Sequence, residues 1–224
     1  MKASRLLLLA LLTVAIGFGT IPLSATVIAY STFDNNDEGW MNGEFTAITG
    51  SPTAVNWLAS GGNPGGHIQV YDNYPWNSFY APAKFLGNQS AAYLGTLTFD
   101  IYDSYLEPSG EQPAVMISDG STYLFSPLVP RGLPYGPPFV NLSVVFQASA
   151  GWSTDPYGAN PATEQQMQTV LANLQVLAID ADWHSYDDDV HLDNVYLNSP
   201  GVPEPATMLL LLGGVPVLLR RLRK

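Results

Sequence analysis

No apolar run in the middle of the chain stays unbroken for long. Gly, Pro, Asn and Asp interrupt it repeatedly, with 20 Gly and 18 Pro among 224 residues. These residues supply turn geometries and work against long helices. The pieces between them suit a mostly β sandwich or barrel. The clearest strand is 93–105, where Leu97, Phe99 and Ile101 alternate at period two and make one apolar face. Further strands are expected at 27–33, 44–49, 54–58, 67–71, 114–117, 122–125, 139–147, 174–181 and 190–197. Asp119-Gly120 reads as a hairpin turn, and 61–66 as a loop. Five prolines in 126–138 exclude a central strand, because Pro cannot donate to a ladder.

One helix interrupts the strands. Thr163-Glu164-Gln165-Gln166 has capping-box spacing. Met167, Val170, Leu171 and Leu174 then recur on one helical face.

Both ends of the chain read as addresses. Lys2 and Arg5 precede the apolar run 6–16, and small residues follow up to Ala25 and Ala29. That order is expected of a signal peptide over 1–29, with an uncleaved anchor as the alternative. At the other end, Pro203-Glu204-Pro205 precedes the apolar stretch 206–219 and the basic residues Arg220, Arg221, Arg223 and Lys224. As a helix that stretch is about 21 Å long, short against a hydrocarbon core of about 30 Å. This end resembles the PEP-CTERM sorting signal of Gram-negative bacteria. The resemblance implies an exosortase-type sorting enzyme as a partner and transient membrane insertion through 206–219. It further implies membrane anchoring before processing, then delivery to the cell surface or extracellular matrix. An ordinary C-terminal membrane helix is the alternative.

Charge narrows the partners. From Tyr30 to Pro205 only Lys84 and Arg131 are basic, against 19 acidic residues, a formal charge of −17. Such a surface repels nucleic acid, whose phosphates need Lys and Arg. It attracts cations, of which calcium is the abundant hard one outside cells; solubility alone is the other use of such acidity. The chain has no cysteine, which excludes disulfides, thiolate metal sites and Cys nucleophiles.

A second resemblance spans most of the chain. Its residues are Phe33-Asp34, Glu38-Gly39-Trp40, the 62–68 run GNPGGHI, the 80–87 run YAPAKFLG, Tyr93-Leu94-Gly95, Gly151-Trp152 and Leu192-Asp193-Asn194-Val195. Their order is similar to the laminin B domain, also called laminin IV type A. That likeness implies a jelly-roll β-sandwich of the carbohydrate-binding-module kind, with one short helix. The sandwich would occupy 30–199, flanked by the signal peptide and by a hydrophobic sorting helix within 200–224.

The sequence offers three kinds of site. Tyr71, Asp72, Tyr74, Trp76, Asn77 and Tyr80 crowd into one stretch. Rings that stack on sugar C–H faces beside amides and carboxylates that meet hydroxyls suit a glycan platform; packing of the same rings into the sandwich is the alternative. Asp193 lies in the closing strand and Asp34 just after the opening one, places that the jelly-roll likeness would bring side by side for a shared structural calcium. Asp193 capping a turn beside Asn194 is the alternative, and Asp187-Asp188-Asp189 offers another cluster. His67, His184 and His191 form no metalloprotease spacing, and neither a nucleophile elbow nor a phosphate loop is present. The expected function is non-catalytic: a surface or matrix module associating with exopolysaccharide or another extracellular glycan. A structural matrix protein that binds proteins or itself is the alternative, and a hydrolase a second one.

Overall fold

The structure, a computed structural model, describes residues 25–46, 51–71 and 76–201. Its strands are β1 (Val27–Ser31), β2 (Met41–Glu44), β3 (Thr53–Ala54), β4 (Asn56–Gly62), β5 (Gly65–Tyr71), β6 (Asn77–Tyr80) and β7 (Thr96–Asp103). They continue with β8 (Glu111–Pro113), β9 (Val115–Ser118), β10 (Tyr123–Phe125), β11 (Leu128–Pro130), β12 (Val140–Val145), β13 (Val176–Asp180) and β14 (Asp189–Asn198), and one α-helix, α1, spans Glu164–Ala172. The first sheet runs β12-β7-β14-β5-β4, with β1 also paired to β14; the second runs β10-β9-β13-β6-β2-β3.

The apolar alternation in β7 is what holds these sheets together. Leu97, Phe99 and Ile101 are fully buried and share one core with Phe79, Val115, Ile117, Leu177 and Ile179 of the second sheet. Each such side chain contributes about 1.5–3 kcal/mol on leaving water. Three tryptophans are also fully buried, and each indole N–H finds an acceptor. Trp40 donates to Ser31 Oγ at 2.9 Å, Trp152 to the Val145 carbonyl at 2.8 Å, and Trp183 to the Asp180 carbonyl at 3.0 Å. A buried indole without that bond would leave a costly unpaired donor.

The helix forms as its sequence requires. Thr163 Oγ1 accepts from the Gln166 amide, and the Gln166 side chain accepts from the Thr163 amide. Met167, Val170 and Leu171 face the core.

Several expectations shift. The strand placed at 44–49 lies earlier, at Met41–Glu44, because Met41 to Glu44 pair residue for residue with Tyr80 to Asn77; residues 47–49 lie outside the described residues. The loop at 61–66 contracts to a two-residue turn, since β4 reaches Gly62 and β5 starts at Gly65. β1 begins at Val27, so the sandwich takes in the last three residues of the segment read as signal peptide. The Pro-rich segment carries a short strand, β11, which pairs only with β8.

The sorting-helix reading is corrected. Among the described residues no helix is long and apolar enough to cross a membrane; α1 has nine residues. Pro203, Glu204, Pro205 and the stretch 206–219 lie outside the described residues. The same finding corrects the expectations built on that helix: transient membrane insertion, an exosortase-type partner and membrane anchoring.

Candidate functional site

The outer face of the second sheet receives part of the expected aromatic stretch. Tyr80 of β6 is opposite Met41 of β2 and Ala178 of β13. Those residues face away from the main core, into a smaller cluster of Phe45, Met116, Phe125, Val176 and Ala178. Trp76 and Tyr80 are half-buried against it. Trp76 stacks on Phe45 at 5.4 Å and donates its indole N–H to Asp180 Oδ1 at 2.9 Å. Tyr80 lies across Gly43, and its hydroxyl donates to the Glu44 carbonyl at 2.5 Å. A Cβ at residue 43 would meet the tyrosine ring at 2.6 Å, which is why glycine stands there. Beside Tyr80 a groove of about 200 Å³ is lined by Met41, Pro52, Leu86, Gln175 and Val176.

The rest of the stretch scatters. Tyr71 is half exposed at the end of β5, opposite Asp189. Asn77 is fully buried, where its side-chain oxygen accepts from Asn42 at 3.3 Å. Asp72 and Tyr74 lie outside the described residues.

Asp34 and Asp193 do converge, on the Asn63-Pro64 turn. Asp193 Oδ2 accepts the Asn63 amide at 2.6 Å, and its Oδ1 accepts the Asn194 amide at 2.7 Å. Asp34 approaches from the other side, its Oδ1 2.6 Å from where a Gly65 Cβ would stand. Asp100 joins them, accepting from the Asn63, Asn141 and Asn194 side chains at 2.8–3.0 Å. Burial, then the Asp100 and Asp34 carboxylates, push Asp193 up to about 6. Among the described residues no group of three or more His, Asp or Glu side chains is arranged to hold a metal ion.

Two buried polar constellations escaped the reading of the sequence. On the outer face of the first sheet, His67 Nε2 meets His191 Nδ1 at 2.8 Å, and His191 Nε2 lies 3.2 Å from Asp189 Oδ1. If His191 keeps its proton on Nε2 toward the carboxylate, His67 must donate from Nε2, leaving His67 Nδ1 as a buried acceptor with no partner. Burial holds both imidazoles below the usual range, His191 at about 4. At one end of the sandwich, Asp103 and Asp188 face each other while almost wholly buried. Asp188 Oδ1 accepts the Trp183 and His184 amides at 2.9 and 2.8 Å, and Asp103 Oδ1 accepts the Tyr105 amide at 3.0 Å. Burial and then the Asp103 carboxylate push Asp188 up to about 9. Two carboxylates so placed hold one proton between them at neutral pH. The Asp187-Asp188-Asp189 run was the only sign of this pair in the sequence, and its partner Asp103 is remote.

Two sheets closed over one core, with a single short helix, define a β-sandwich module. Residues 78–207 match the model of the family described as Laminin B (Domain IV), more than half of the chain, and the chain belongs to that family. It is 29% identical to human (Homo sapiens) laminin subunit gamma-2 over 188 residues, covering 78% of this chain and 14% of that subunit. The horse (Equus caballus) laminin subunit gamma-2 is 27% identical over 191 residues, with the same coverage. The chain thus spans only about 14% of the length of these relatives. The L4b domain of human laminin alpha-2 superposes with a TM-score of 0.61 at 12% identity, covering 80% of this chain and 98% of that domain. The laminin B family has no catalytic activity, and the chain is a non-catalytic module.

Proposed function

We propose that this module works outside the cell and associates with extracellular glycan through the outer face of its second sheet, at Trp76 and Tyr80. The observation that carries this reading is the Tyr80 ring laid flat over Gly43 beside the 200 Å³ groove. A fixed aromatic ring next to an open apolar groove suits the C–H face of a pyranose. Gln175 at the rim supplies an amide for a hydroxyl. The laminin relatives support an extracellular setting.

Calcium belongs to the proposal at Asp34 and Asp193. The motive is the repulsion among Asp34, Asp100 and Asp193, which a cation at the Asn63-Pro64 turn would relieve. Ion binding must then displace the Asp193 proton, so affinity falls as pH drops below about 6. Calorimetric titration with calcium at pH 7.5 and 5 checks this; no heat at either pH removes calcium from the account.

The glycan reading is tested by binding of the purified protein to a glycan array, with calcium and with chelator. Trp76→Ala and Tyr80→Ala are each expected to weaken binding and also to lower the thermal midpoint, because both rings pack against the Phe45 cluster. Binding is therefore measured well below each variant's midpoint. Wild-type protein that binds no glycan under either condition refutes the reading.

A further inference from the structure

We propose that one end of the sandwich is a second glycan-contact surface, on which a neutral linear polysaccharide stacks along Tyr105, His184 and Tyr186; this rests on the glycan reading above. Three loops build that end, 104–110, 131–139 and 181–188. They carry a concentration of exposed large apolar side chains: Tyr105 and Leu106 at 47% exposure, Leu133 at 40%, Tyr135 at 53% and Tyr186 at 80%. Contiguous exposed apolar surface of this kind marks an interaction site.

The rings are in series. Tyr105 and His184 stand 5.8 Å apart by ring centroid with their planes tilted by 36°. His184, half-buried, and Tyr186 stand 5.7 Å apart with a tilt of 52°, a row that turns from ring to ring as a twisted glycan chain does. Successive pyranose units of an extended chain advance by a comparable step, so consecutive sugars meet consecutive rings. Hydroxyl partners lie alongside: Ser185 donates to Glu107 Oε2 at 2.5 Å and accepts from Arg131 at 3.3 Å. The charge balance of the domain selects a neutral glycan over an anionic one, since Glu107 and Asp187 in these same loops outnumber Arg131.

The surface is held in place before any ligand arrives. Asp103 Oδ1 fixes the Tyr105 amide, and Asp188 Oδ1 fixes the Trp183 and His184 amides. Trp183 is fully buried beneath them. The 131–139 loop is tied in where the Gly136 amide donates to the Asp103 carbonyl at 2.7 Å. Rings pre-positioned in this way lose little freedom on binding.

The test is calorimetric and NMR titration of the protein with neutral linear hexasaccharides of gluco, manno, galacto and xylo configuration, and with polygalacturonate. Tyr105→Ala and Tyr186→Ala are each expected to weaken hexasaccharide binding roughly tenfold. Tyr157→Ala removes an equally exposed ring elsewhere and is expected to leave binding unchanged. Because all three rings are on the surface, thermal midpoints within a few degrees of wild type confirm folded variants. Full binding in both Tyr105→Ala and Tyr186→Ala, with loss in Trp76→Ala, overturns this surface and leaves the sheet-face reading standing. Preference for polygalacturonate overturns the neutral-glycan assignment. Wild-type protein that binds none of these probes overturns this surface and the glycan reading together.

Discussion

Replacing Asp188 by Asn tests the buried carboxyl pair directly. Asp188 is 2% exposed and Asp103 1%. The Asp188 pKa lies near 9 in the folded protein against about 3.9 in an unfolded chain. A raised folded-state pKa means that folding takes up a proton across this window. The contribution is fully present below about pH 4 and is lost as pH rises toward 9. One extra bound proton corresponds to a loss of about 1.4 kcal/mol per pH unit, or roughly 3 kcal/mol between pH 6 and 8. In Asp188→Asn the amide oxygen still accepts from Trp183 and His184, while the NH₂ group donates permanently to the Asp103 carboxylate in place of the shared proton. The variant therefore matches wild type within about 1 kcal/mol near pH 5. It should then outlast wild type by roughly 5–10 °C at pH 8. Thermal melts followed by circular dichroism at pH 5, 6, 7 and 8 provide the assay. Parallel wild-type and variant curves, or a variant uniformly less stable, would refute the shared-proton argument.

Three further outcomes are expected. Thr163→Ala removes the α1 cap and should cost about 1 kcal/mol, seen as a lower thermal midpoint. The two buried imidazoles should oppose, between about pH 6.5 and 4, the stability that Asp188 gains as pH falls: burial depresses His67, and His191 to about 4, so at these two sites the unfolded chain binds more protons. His191→Gln should remove its part of that opposition, so that stability in urea titrations falls less, or rises more, on acidification than in wild type. Gly43→Ala places a Cβ 2.6 Å from the Tyr80 ring and should cost about 1–3 kcal/mol, with loss of the Tyr80–Glu44 hydrogen bond detectable in the tyrosine NMR signals.

Much of the fold was legible because its local rules agree. Period-two alternation located β7, Asp119-Gly120 located the β9–β10 hairpin, and the Thr163–Gln166 spacing located the start of α1. Boundaries were weaker where glycine could belong to strand or turn, as at Gly62 and Gly65. The candidate site was legible only in part. Crowding of aromatic residues between 71 and 80 could not separate Trp76, which packs on Phe45, from Tyr71, which stands half in solvent.

By itself the sequence determined the strand-rich architecture, the capped helix, the lack of disulfides and the acidity of the domain. These depend on each residue's own chemistry or on neighbours a few positions off. Only the tertiary structure decided that Asp103 meets Asp188, that His67 meets His191, and that Tyr105, His184 and Tyr186 line up at one end. A strand's alternation states which face a side chain takes, not which strand will lie beside it. That choice is made when the two sheets close over their common core, and it brings buried carboxylates and exposed rings together from distant parts of the chain.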